Sequence, residues 1–264
     1  MTKLQIGVVL AALAFFLVLY FGCDTKPENY EEVIQQRELV AESTNINSLL
    51  ASARKTLQSS QANILLALER QLDEVSIDSA KIEILKNLSG KWYEFGRADI
   101  SGHYAKTIAE SANTEEAWSL AGTTFSICVQ RAAEEKIKSY CTENALRAFE
   151  NAVSINPENP QHQLNLAVVY AENPPEDNPM KGILMLLDLN KKHPENVGVL
   201  TNLGRLGLQT GQFEKAAKRL EKALEIEPEN RAANCLIIRA YEGLGQNDKA
   251  ASFQKKCEAL SNIN

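Results

Sequence analysis

Three stretches of this 264-residue chain close on the same letters: NAVSINPEN at 151–159, DLNKKHPEN at 188–196 and KALEIEPEN at 222–230. Each runs into a proline and then Glu-Asn, with the prolines at 157, 194 and 228. A proline ends a helix because it lacks the backbone donor and its ring crowds the preceding turn. Units of this length, each stopped in the same way, cannot bury both faces alone. They must stack on one another, so the period predicts an array of repeated units ending in helices.

Composition agrees with that period. The chain is 44% hydrophobic but only 6% aromatic, has 13 Gly and 8 Pro, and is dominated by residues that lose little entropy in a helix. Its net charge of −6 argues against nucleic acid as a partner, since phosphates need a basic face.

The amino terminus reads differently. LQIGVVLAALAFFLVLYFG, residues 4–22, has no charged residue. As a helix rising about 1.5 Å per residue it spans a hydrocarbon core of about 30 Å. Lys3 precedes it, while Asp24, Glu28, Glu31 and Glu32 come after, which by the positive-inside tendency exports the remainder. Two readings stand: an uncleaved transmembrane anchor over 1–23, or a lipoprotein signal with lipidation at Cys23, where Gly22-Cys23 matches such a site and Tyr20 and Phe21 depart from it. Either way the expectation is a tethered domain on the exported side. Next come a polar tether over 24–45 and a helical lead-in over 46–80, the latter with Leu50, Ala53, Leu57, Ile64, Leu68, Leu72 and Val75 at helical spacing and a second helix capped near Ser59.

In the copy at 197–230, Leu203-Gly204 is followed by Gly211, Phe213, Ala216, Leu220, Ala223 and Pro228. This pattern resembles the tetratricopeptide repeat. Small residues at Gly204 and Ala216 let two antiparallel helices approach closely, and Ala223 leaves room for the next repeat. Matching residues are Trp118, Ala121-Gly122, Phe125, Ala145, Phe149 and Ala152 in 115–159, and Leu166-Ala167, Tyr170, Gly182, Leu186 and Leu189 in 160–196. A looser copy at 231–264 has Tyr241, Gly245, Ala250 and Cys257, but Ile238 stands where Gly is expected; a degenerate copy occupies 81–114. The resemblance implies an all-α fold, a right-handed α-solenoid over 81–264, with four or five hairpins.

Gly122 and Ala145 lie 23 positions apart, whereas Gly204 and Ala216 lie 12 apart, so the hairpin of 115–159 is longer by about three helical turns in total. Counting from those two residues sets Cys128 and Cys141 at similar heights, as a candidate disulfide in an oxidising compartment or as two small buried residues. Cys235 and Cys257 occupy opposite helices of the last hairpin at less clearly facing positions.

No residues form a catalytic or metal-binding pattern. His103, His162 and His193 stand apart, there is no phosphate loop or nucleophile elbow, and no cofactor is expected. The resemblance implies that the first helix of each repeat lines a concave groove. Leu164, Asn165 and Val168 would do so in one copy, Thr201, Asn202, Arg205 and Gln209 in the next, and Arg239 in the last. Asn amides can clamp an extended peptide and Arg can grip a carboxylate, although the lysines of carboxylate-clamp relatives are missing. The expected function is therefore non-catalytic protein–protein interaction beside a membrane. Two alternatives stand beside it: an assembly or maturation factor for exported proteins, and a self-associating structural protein.

Overall fold

The computed structural model describes Gln5 and residues 45–262. The apolar segment 4–22, Cys23 and the tether over 24–44 lie outside the described residues, Gln5 apart. Among the described residues no helix is long and apolar enough to cross a membrane. The chain divides into units 1–48 and 49–264, and the helical array belongs to the second.

Residues 45–262 fold into twelve α-helices and no strand. They are α1 (Ile46–Arg54), α2 (Ser59–Glu74), α3 (Asp78–Glu94), α4 (Ala98–Ala112), α5 (Glu115–Arg131) and α6 (Glu135–Ile155), then α7 (Pro160–Glu172), α8 (Lys181–Lys192), α9 (Val197–Gln209), α10 (Phe213–Ile226), α11 (Arg231–Gly243) and α12 (Asn247–Ser261). From α2 onward each helix packs on the next, and α5, α7, α9 and α11 also touch in succession. This is the contact order of stacked hairpins, each first helix meeting the first helix of its neighbour. Arg54 on α1 joins Glu69 on α2 through a 2.6 Å ion pair. The cap of α2 is Gln58, in a reciprocal capping box with Gln61, rather than Ser59.

The recurrent Pro-Glu-Asn now has a local explanation. Helices α6, α8 and α10 stop one residue short of Pro157, Pro194 and Pro228. The asparagine two residues later then caps the next helix. Asn159 accepts from the Gln161 amide, Asn196 from Val199 and Asn230 from Ala233, satisfying donors that have no partner inside the helix. Thr114 does the same for α5 by accepting from Ala117. Pro160 at the first turn of α7 fits because its missing donor would be unused there.

Within hairpins the small residues act as the repeat logic requires. A Cβ on Gly204 would stand 2.7 Å from Leu220, and one on Gly122 would stand 2.6 Å from Phe149. One on Gly182 would overlap the backbone of Ala171 and Tyr170. Gly211 and Gly245, both at φ +70°, make the hairpin turns of the last two repeats, a conformation that costs other residues a Cβ clash. Ser89 and Ser101 face each other between α3 and α4, 3.1 Å apart, with Ser89 also donating to the Ser101 carbonyl. Ile238, at the position of the expected Gly, is buried, and the residue corresponding to Leu220 is Gln254, which turns outward to Glu258. The bulk has moved from the second helix to the first, so the hairpin still closes.

The α5–α6 hairpin is the longest, with 17 and 21 residues, against 12 to 15 in the other second helices. Its extra length is packed rather than bare: Ile127, Val129, Ala132, Ile137 and Tyr140 gather around Phe125, Cys128 and Cys141.

Candidate functional site

A cavity of about 330 Å³ opens along the first helices of three successive repeats. Its lining comes from Thr123, Ser126 and Gln130 on α5, from Gln161, Asn165, Val168 and Glu172 on α7, and from Gly198 and Asn202 on α9, with Phe149 and Leu164 below. Helical periodicity sets this up. Thr123, Val168 and Arg205 each follow the small residue of their repeat, and Asn165 and Asn202 stand two positions before it.

The lining is rich in hydrogen-bonding groups and nearly neutral. Thr123 and Ser126 donate their hydroxyls to the carbonyls one turn back, at 2.8 and 2.9 Å, which leaves oxygen lone pairs toward the cavity. Asn165 accepts from Gln161 at 2.8 Å, and its own NH₂ has no hydrogen-bond partner among the described residues. Asn202 is engaged at both ends of its amide, donating to the Gly198 carbonyl at 2.9 Å and accepting from Arg205 at 3.1 Å. Arg205 also reaches Glu172 at 2.9 Å. One carboxylate and one guanidinium thus neutralise each other across the boundary between repeats.

Of the residues singled out from sequence, Leu164, Asn165, Val168 and Asn202 line this cavity. Arg205 adjoins it through Glu172 and Asn202, while Gln209 and Arg239 lie outside it. Thr201 is buried, not presented on the open face. Thr123, Ser126, Gln130, Gln161, Gly198 and Glu172 were missed. The offset from Gly122 and Ala167 was the signal that would have found the first and last of them.

Cys128 and Cys141 are disulfide-bonded across α5 and α6, with Cα atoms 6.0 Å apart, and Cys235 and Cys257 are bonded across α11 and α12, with Cα atoms 5.0 Å apart. The second pair faces more directly than residue counting indicated. Ile238 and Cys257 share one cluster there, drawing the two helices together.

Three polar clusters join neighbouring repeats. The Glu115 carboxylate at the start of α5 accepts from Asn156 at 3.1 Å and from Asn159 at 3.3 Å, and lies 2.6 Å from His162 Nε2 on α7. The Asn156 and His162 hydrogen bonds hold Glu115 below the usual carboxylate range. Tyr170 on α7 donates to Glu150 on α6, and Tyr241 on α11 donates to Glu221 on α10. Lys181 and Lys249 lie over the respective rings. Among the described residues no three His, Cys, Asp or Glu side chains are placed to hold a metal ion.

Residues 207–253, from the end of α9 into α12, match the family model of the tetratricopeptide repeat. Stacked hairpins with small residues at the crossings and proline stops define that class. Over that stretch the chain is similar to the tetratricopeptide repeat. No curated protein matches it. Similar solved structures include a crystal structure of MamA, at 19% identity over 68% of this chain and 91% of that one, with a TM-score of 0.44. Another is MamA 41-end from Desulfovibrio magneticus RS-1, at 16% identity over 72% and 100% of the two chains, with a TM-score of 0.47. Likeness at that level adds nothing to what the repeats themselves define.

Proposed function

We propose that this chain is a membrane-tethered interaction module, non-catalytic, whose α5–α7–α9 cavity holds an extended segment of a partner protein. The observation that carries this reading is the cavity lining: free acceptors on Thr123 and Ser126 and a free amide donor on Asn165, above the apolar floor of Phe149 and Leu164. Such a surface complements a peptide backbone and one or two uncharged side chains. It suits a terminal carboxylate poorly, because the one guanidinium beside it is already paired with Glu172.

The exported location rests on the apolar stretch 4–22, with Lys3 before it and acidic residues after it. Two disulfides favour an oxidising compartment, because thiols are kept reduced in a cytosol.

The test is photo-crosslinking in the native host from a reactive side chain introduced at Asn165, with Lys255 on the surface of α12 as the control position. A partner captured from 165 and not from 255 supports the proposal. Equal capture from both positions, or capture from neither, would sink it. Mass spectrometry of the mature amino terminus tests the tether: an intact start supports the anchor, an acylated Cys23 the lipoprotein, and an unmodified, cleaved terminus neither.

A further inference from the structure

The second helices of the repeats can be aligned on a small residue followed four positions later by a large buried one: Ala145 and Phe149 in α6, Gly182 and Leu186 in α8, Ala216 and Leu220 in α10. Two before, two after and five after the small residue lie on one outward stripe of the helix. In α6 those positions hold Glu143, Arg147 and Glu150, and Arg147 and Glu143 form a solvent-exposed ion pair at 2.6 Å. In α10 they hold Glu214, Lys218 and Glu221.

In α8 all three are apolar: Met180, Leu184 and Leu187. Met180 is 49% and Leu184 55% exposed. Leu187 is half-buried beneath them, against the cluster formed by Leu164, Leu186 and Leu189. None of these residues lines the cavity, so this surface is separate from the proposed peptide site. Single exposed leucines are ordinary, but a stripe replacing charges at every corresponding position has a cause.

The ends of the stripe indicate what covers it. One helical turn beyond Leu187 the same face carries Lys191, exposed and in no ion pair among the described residues; Lys192 is instead paired with Asp188 at 2.8 Å. Before Met180 the exposed turn carries Glu176 and Asp177, also in no ion pair among the described residues. Acid at one end, hydrocarbon in the middle and a lysine at the other make a surface complementary to itself when turned end for end. An isologous twofold contact has that property.

We propose that α8 is a homodimer contact: two copies of this chain lay their α8 helices antiparallel, with Leu184 and Leu187 of each meeting across the axis. Lys191 of one copy then lies beside Glu176 and Asp177 of the other, twice over. Antiparallel helices also set opposite dipole ends together. The acidic turn disfavours an anionic lipid surface as the occupant.

Sedimentation equilibrium of the full chain in density-matched detergent tests this. Wild type is expected to self-associate, and Leu184→Glu to shift the equilibrium to monomer at the same concentration, by at least about tenfold in dissociation constant, with an unchanged thermal melt. Lys191→Glu and the pair Glu176→Lys, Asp177→Lys should each weaken association, and all three together should restore it. A monomeric wild type overturns the proposal, and so does a Leu184→Glu protein that associates as before. A charge-swapped protein no tighter than its parents overturns it as well. A lowered melt for Leu184→Glu would show that the residue belongs to the chain's own packing, with the same consequence.

Discussion

Tyr241 on α11 donates its hydroxyl to Glu221 on α10 at 2.6 Å, twenty residues back in the chain. Tyr170 and Glu150 repeat the relationship two repeats earlier, at 2.7 Å and the same separation. Each bond runs from the first helix of one repeat to the second helix of the one before, which makes it a fastening between repeats rather than within one. Tyr241→Phe keeps the ring and removes the bond, so it should cost about 1 kcal/mol in urea unfolding, given that Glu221 stays partly solvated.

Burial first, and the Glu221 contact second, push the Tyr241 hydroxyl up to about 12. The neutral form is favoured in the folded chain, so this contribution is complete below the ordinary tyrosine range near 10 and is lost as pH rises through the folded value. Tyr140 is likewise raised to about 12, chiefly by burial. Ultraviolet titration should therefore show a late-ionising class of tyrosines that shrinks in Tyr241→Phe. A curve unchanged by the substitution would contradict this.

At Glu115 the sign is opposite. Hydrogen bonds from Asn156 and His162 favour the carboxylate, so the stabilisation is complete above the usual carboxylate range and lost as pH falls through the depressed folded value. Glu115→Gln should flatten the acid limb of the stability–pH profile and leave the alkaline limb as it was. Denaturant midpoints measured across pH decide it.

Crossing geometry separates the glycines. A methyl group on Gly182 meets the backbone of Ala171 and Ala167, which cannot step aside without moving α7. On Gly204 the nearest atoms it meets all belong to the Leu220 side chain. Gly182→Ala should therefore be the more damaging, by about 3 kcal/mol or more against wild type, and Gly204→Ala milder because Leu220 can change rotamer. Reversal of that order by chemical denaturation would refute the close backbone approach at the α7–α8 crossing.

The two disulfides differ in access. Cys128 and Cys141 are 4% and 0% exposed, whereas Cys235 and Cys257 are only partly buried at the carboxyl-terminal hairpin. A mild thiol reductant should open the second bond first, detected by alkylation and peptide mapping. Replacing Cys128 and Cys141 with serine should cost about 3 kcal/mol, the scale for a loop of this size.

Much of the fold was legible in the letters. Pro157, Pro194 and Pro228 mark helix ends because proline acts locally; Gly204 marks a crossing, but the side chain it meets is Leu220, and Ala216 faces Gly207 instead. The Pro-Glu-Asn triplets were visible as a repeat, yet Asn159, Asn196 and Asn230 disclosed their capping role only once backbone geometry was known. Cavity residues were harder. Thr201 and Asn202 are neighbours, but one is buried and one faces the cavity, a distinction set by which way α9 is turned toward the helices around it. The engagement of Arg205 by Glu172 depends on the stacking of two repeats, and no pattern within either one announces it.

That ion pair has a further consequence for anything that enters between α7 and α9. Glu172 and Arg205 join the two helices before any guest arrives, and a partly exposed pair of this kind contributes about 1 kcal/mol or less. On the proposed reading, a charged guest would have to compete with that pair, so the slot favours an uncharged one.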